Sequence, residues 1–239
     1  MNNLRYIGKC LLITCQKERV LAVGDLHLGY EETLNRSGVS ISRQMFDEII
    51  SDFNAIFKRA GKIDKIILLG DIKHDFGSIS GQEWGDVLKI IEYFRSKGKE
   101  LVIIKGNHDA ILKPILDRVG LKARDYYILE DFCFAHGNKD FEALWDKKIK
   151  YLVVGHIHPA VRLVEGVKSE KYKCFLTGKF KGREMIVVPS FIDYNIGTDP
   201  REGGGDFLAW KVNFGNFNVK IVGENLEVLD FGQLKKIKT

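Results

Sequence analysis

Leu101-Val102-Ile103-Ile104-Lys105-Gly106-Asn107-His108-Asp109 is the stretch that decides the fold. Four branched apolar residues in a row read as a strand buried on both faces, the pattern of a covered sheet. The Gly then permits a tight turn, and Asn, His and Asp follow it at the strand end. The same grammar recurs along the chain. Apolar runs at 20–23, 65–69, 132–135 and 151–154 each end at Gly, Asp or His.

Between these runs the spacing predicts helices. Over 40–58, Ile41, Met45, Phe46, Ile49, Ile50, Phe53, Ile56 and Phe57 recur at three- and four-residue steps and stripe one helix face. Residues 82–97 repeat the pattern, and 110–119 and 139–150 are shorter candidates. Strands alternating with helices imply a layered α/β fold. The last third changes character. Runs at 172–177 and 185–188 flank Gly178-Lys179-Phe180-Lys181-Gly182 as a hairpin, and 207–212, 218–222 and 227–231 read as further strands. The opening 4–14 also reads as strand. With no repeat, low-complexity tract or linker, the reading is one domain over 1–239.

Composition sets limits on function. The chain has 239 residues, 45% hydrophobic and 29% charged, as in a water-soluble globular protein. No apolar run approaches the roughly 20 residues needed to cross a bilayer, and the first residues lack the pattern of a signal peptide. The expectation is a cytoplasmic protein without a membrane partner. Cys10, Cys15, Cys133 and Cys174 show no C-x-x-C spacing and read as packed thiols. The net charge of +5 favours an anionic partner without identifying nucleic acid. The basic stretch 168–184 reads as a solvated hairpin surface. Lys73 and Lys105 stand beside the strand-end motifs, where contact with phosphate is one reading and exposed lysine the ordinary alternative. The glycine-bearing 195–206 reads as surface linkage, with a mobile loop over a site as the alternative. Abundant Lys, Glu and Ile hint at a thermophile.

All six histidines lie at or just beyond a strand end, and none sits in a helical stripe. Open α/β sheets bind ligands beyond the carboxyl ends of their strands, so this placement points to one polar site. The motifs are Asp25-Leu26-His27, Gly70-Asp71-Ile72-Lys73-His74, Gly106-Asn107-His108-Asp109, His136-Gly137 and Gly155-His156-Ile157-His158. A lone strand-end Asp or His is usually a cap or turn residue. Five such motifs in order reverse that reading.

Their order and spacing resemble the calcineurin-like metallophosphoesterase superfamily, over 20–159 and more loosely Val188-Pro189-Ser190. The resemblance implies a four-layer α-β-β-α sandwich with two packed mixed sheets. Within the superfamily the chain looks closest to archaeal phosphoesterases related to the SbcD-type repair nuclease subunit and to those encoded beside DNA ligases. Small size, 70–76 and 189–197 carry that narrower likeness. Carried across motif by motif, the resemblance implies that Asp25, His27 and His158 hold one divalent ion. Asn107, His136 and His156 would hold a second, with Asp71 bridging. Imidazole and carboxylate donors suit transition metals, Mn above all, with Fe, Ni, Co or Zn as alternatives. Two ions and a bridging hydroxide set against Asp25 and Asp71 leave roughly one positive charge for a phosphate.

By the same resemblance, bridged hydroxide attacks phosphorus. His108 stabilises the transition state or protonates the leaving oxygen, and Asp109 orients its ring. His74 stays open between a substrate contact and a structural role. The expected function is a dinuclear phosphodiesterase or nuclease on a phosphate-ester substrate, possible nucleic acid included, although no stacking platform or base-reading motif is visible. The alternatives are a small-molecule nucleotide or pyrophosphate phosphoesterase and a non-catalytic scaffold. A phosphoprotein phosphatase fits less well, because His74-Asp75-Phe76 stands where that group has Asp-Arg-Gly.

Overall fold

The structure is a computed structural model that describes residues 3–15, 18–202 and 208–238. In chain order the strands and helices are β1 (Asn3–Ile7), β2 (Cys10–Thr14), β3 (Arg19–Val23), α1 (Tyr30–Arg36), α2 (Met45–Ala60), β4 (Lys65–Leu68), α3 (Gly81–Ser96), β5 (Glu100–Ile104) and α4 (Lys113–Arg118). There follow β6 (Ala123–Arg124), β7 (Tyr126–Leu129), β8 (Phe132–Ala135), β9 (Tyr151–Val154), β10 (Ala160–Glu165), β11 (Lys168–Phe180), β12 (Arg183–Val187), β13 (Asn218–Val222) and β14 (Val228–Gln233).

Two mixed sheets result. One runs β1-β2-β3-β4-β5-β6, parallel from β3 onward. The other runs β14-β13-β11-β12-β9-β8-β7, with β10 paired to β11 and a parallel centre of β12, β9 and β8.

Period-two alternation distributes the apolar runs between layers. From β3, β4 and β5, Val20, Ala22, Ile67, Val102 and Ile104 face the second sheet. They meet Phe132, Phe134, Val153, Phe175 and Ile186 there. The opposite faces of the same strands, with Leu21, Val23, Ile66, Leu68 and Ile103, pack under α2, α3 and α4 through Ile49, Phe53, Val87, Ile91, Phe94 and Ile115. The second sheet's outer face, with Cys133, Leu152, Val154 and Leu176, is covered by Leu144, Trp210, Phe214 and Leu234. The four-layer sandwich is therefore present. Its last layer is built from the 3-10 turns Glu142–Trp145, Phe214–Asn216 and Leu234–Lys236.

Several expectations need correction. The opening run is two strands, because Gly8 takes φ 52° and turns the chain back. The helix expected from residue 40 begins at Met45. Glu31 accepts the amides of Gln44 and Met45, both at 3.1 Å, and so fixes where it starts. The helix expected over 139–150 is only a 3-10 turn, since Arg183 donates to the carbonyls of Trp145 and Asp146 that a helix would need. Residues 208–212 form no strand, and Phe207 and Gly203-Gly204-Gly205 lie outside the described residues. Lys173 breaks the solvated-hairpin reading of 168–184. It is buried and donates to Ser190 Oγ at 2.6 Å. All four cysteines are free and buried. Among the described residues no helix is long and apolar enough to cross a membrane.

Candidate metal centre

Both sheets direct the carboxyl ends of their parallel strands to one place. From the first sheet, β3 delivers Asp25 and His27, β4 delivers Asp71, and β5 delivers Asn107 and His108. From the second, β8 delivers His136 and β9 delivers His156 and His158. The loops are stitched together by backbone bonds. Leu26 and His27 donate to the Asp71 carbonyl at 3.1 and 2.9 Å, and Phe191 donates to that of Asp25 at 2.9 Å.

The backbone here is strained. His27, Asp71, His156 and His158 adopt φ of 42°, 48°, 74° and 45°. Side chains other than Gly's occupy that left-handed region at a cost of about 1–2 kcal/mol each. Such strain persists where surrounding structure over-determines it, characteristically at functional sites. Gly106 shows how closely the loops approach, since a Cβ there would stand 2.1 Å from Asp71 Oδ1.

The donor atoms form three groups, each lying within 4.8 Å: Asp25, His27 and His158; Asp71, His136 and His156; and His27, His74 and His108. In the first, His27 Nε2 is 3.1 Å from His158 Nε2, which is 3.6 Å from Asp25 Oδ1. In the second, His136 Nε2 is 3.2 Å from Asp71 Oδ2, 3.0 Å from His156 Nδ1 and 2.9 Å from Asn107 Oδ1. Asp71 also lies 4.0 Å from His27 Nε2 and so stands between the two groups. All seven expected ligands are thus brought together.

Protonation states suit cations. Burial first, then neighbouring positive charge, pushes His27 down to about 3 and His156 down to about 4, so both are neutral imidazoles with a free lone pair. Burial would raise the Asp25 carboxyl, but His158, His136 and His27 hold it well below the usual range. Asp71 is lowered likewise, against burial, by its bond to His136. His136 rises to about 9 because Asp71 and Asp25 outweigh its burial, so this ring carries both protons near neutral pH and must release one to accept a cation. Its Nδ1 donates to the Leu69 carbonyl at 2.8 Å and aims Nε2 into the cluster, the usual support of a metal-ligating imidazole. Facing lone pairs and two buried carboxylates make a donor set that fits two divalent transition ions.

His108 lies at the rim, its Nε2 3.9 Å from Asp71 Oδ2 and its Nδ1 bonded to the His74 carbonyl. Asp109 does not orient that ring, contrary to the expectation. Its buried carboxylate accepts the amides of Gly106 at 2.9 Å, Ile72 at 3.0 Å and Lys73 at 3.4 Å, so its oxygens are already engaged. It thereby ties the loop after β5 to the loop after β4. His74, left open by the sequence, is in the cluster, with Nδ1 3.3 Å from His27 Nδ1. Glu83 was missed. It is buried on α3 and accepts the amides of His74 and Asp75; the Ser80-x-x-Glu83 spacing of a capping box marked it as a helix start, and nothing in the sequence tied it to the site. Lys73 is fully buried against the exposed-lysine reading, whereas Lys105 is exposed. Residues 195–198 pack beside the site, with Thr198 donating to the His158 carbonyl at 2.9 Å.

Comparison with known proteins gives the following. A nuclease MPE from Pseudomonas putida is similar in structure, with TM-score 0.64, 17% identity, and 97% of this chain and 100% of that one covered. The E. coli phosphoesterase Yfce covers 87% of this chain and 95% of its own at 13% identity and TM-score 0.40. Vps29 complexed with Zn+2, from Entamoeba histolytica, covers 89% and 99% at 14% identity and TM-score 0.40. No curated protein matches significantly. The profile described as calcineurin-like phosphoesterase matches residues 18–146, more than half of the chain and the stretch that carries Asp25, His27, Asp71, Asn107 and His136. The chain belongs to the calcineurin-like phosphoesterase family.

Proposed function

We propose that the chain is a two-metal phosphodiesterase that cleaves nucleic acid, with manganese as its working ion. One observation carries the reading: Asp71 belongs to one donor group and lies 4.0 Å from His27 of the other, and His108 stands just outside both. Two divalent ions held there supply Lewis acidity and lower the pKa of a water. Asp25, His27 and His158 would hold one ion and Asn107, His136 and His156 the other, with Asp71 available to both.

The remaining work falls to this chain's own groups. His108 directs Nδ1 at the His74 carbonyl and leaves Nε2 to hold a proton for the departing oxygen. Asp109 acts through the backbone, holding the loop of Asn107 and His108 against that of Asp71. The net charge of +5 and the similarly folded P. putida nuclease support a nucleic-acid substrate. Kinship with SbcD-related and ligase-associated enzymes, action in the cytoplasm and a single domain over 1–239 belong to the same proposal.

The test is a manganese-supplemented screen of single-stranded DNA, RNA, nitrophenyl phosphodiesters and phosphomonoesters. Cleavage of the diesters and of a nucleic acid is expected. Turnover of monoesters alone, or of nothing, overturns the reading.

A further inference from the structure

We propose that Phe76 is a stacking platform for one unpaired nucleobase on the leaving-group side of the metal centre. The inference rests on the nucleic-acid reading above and sharpens it to a substrate with an unstacked base.

Phe76 is 57% exposed, and no hydrophobic cluster of the fold includes it. Among the exposed large apolar side chains of the described residues, it is the one in ring contact with the histidine cluster. Its centroid is 3.5 Å from that of His108, with the planes 32° apart. One side of the ring therefore lies on the rim histidine while much of the rest meets solvent. An aromatic ring in that position gains nothing from the core, and its open face is apolar surface awaiting a partner.

The segment beneath it is built to keep the ring outward. Asp75 Oδ1 accepts the Gly77 amide at 3.1 Å, and Asp75 Oδ2 accepts the Ser78 hydroxyl at 2.9 Å. The amides of His74 and Asp75 both donate to Glu83 Oε1, at 3.0 and 2.8 Å. Glu83 in turn completes a reciprocal cap with Ser80 at the start of α3. The ring is thus mounted on a helix end and is in place before any ligand arrives, which lowers the ordering cost of binding.

Position identifies the ligand. With His108 as the acid, the departing oxygen of a phosphate held by the expected ligands would face His108, and the group it carries would lie against the ring resting on His108. Every nucleobase has a π-face, so such a contact is strong yet indifferent to sequence. A base within a duplex already stacks on its neighbours and cannot use the ring, whereas an unpaired base can. An alkyl group offers no comparable face.

Binding to the manganese-loaded protein by calorimetry tests this, with a nucleoside monophosphate and inorganic phosphate as probes and Phe76→Ala and Phe76→Trp as variants. Phe76→Ala is expected to weaken the nucleotide about tenfold, to leave phosphate within about twofold, and Phe76→Trp to restore nucleotide binding. Equal losses for both probes, or no loss for either, overturn the proposal. Failure of the wild type to cleave any diester would count against the nuclease reading instead, while these affinities, measured without turnover, would still decide the role of Phe76.

Discussion

The Nε2 atoms of His27 and His158 stand 3.1 Å apart although 131 residues separate them in the chain. Two imidazole lone pairs at that distance repel unless a proton or a cation lies between them. Burial that pushes His27 down to about 3 keeps its ring neutral, so one of its nitrogens has a lone pair to offer a cation. Replacing His158 by Ala should therefore remove one bound ion and spare the other, and His156→Ala should do the converse. Plasma mass spectrometry of the manganese-loaded variants checks this, with Asp71→Asn expected to weaken both ions.

The His108 amide donates to Asp71 Oδ1 at 2.9 Å, but its ring Nε2 stays 3.9 Å from Asp71 Oδ2 and lies outside both expected cages. His108→Gln should lower turnover about 10²–10⁴-fold, the usual contribution of a positioned acid. Metal content should not change. A variant that loses metal would show that the ring is a ligand instead.

The approach of Gly106 to Asp71 leaves no room for a methyl group, with Asp71 N 2.3 Å and Oδ1 2.1 Å from the would-be Cβ. Gly106→Ala should force the loops after β4 and β5 apart. Weaker metal binding and a lower melting temperature are the expected readouts, with the far-ultraviolet circular dichroism unchanged.

Lys173 gives a dependence of stability on pH. Burial, against the charge of Asp193, lowers this amine to about 7. The unfolded chain then binds more protons between about pH 7 and the ordinary lysine value, roughly 10.4. Stability rises with pH wherever the unfolded state is the more protonated. Relative to Lys173→Met, the wild type should gain up to about 1.4 kcal/mol per pH unit across that window. Urea unfolding of both proteins at pH 6, 8 and 10 measures it, and parallel stability curves would contradict it.

The parallel strands could be read from sequence because each is buried on both faces. Val102, Ile103 and Ile104 must all be apolar, and β8 and β9 fell on the expected residues. The clustering of the candidate donors was legible for a related reason, since a polar residue closing such a strand has nowhere to go but the strand end. Elements held by single distant partners were not legible. The 139–150 helix failed because Arg183 takes its carbonyls, and the start of α2 is set by Glu31 from α1. Asp109 was assigned to the nearest ring in sequence, whereas its partners Ile72 and Lys73 lie almost 40 residues away. Phe76 reads as an ordinary loop residue until its ring is seen on His108.

Neither expected cage can be filled from one sheet. The first needs Asp25 and His27 from one side and His158 from the other, and the second needs Asp71 and Asn107 with His136 and His156. The ions would then act as rivets through the seam of the sandwich. A half-assembled chain could not hold either ion tightly, so a chelator should speed unfolding by letting the two sheets part.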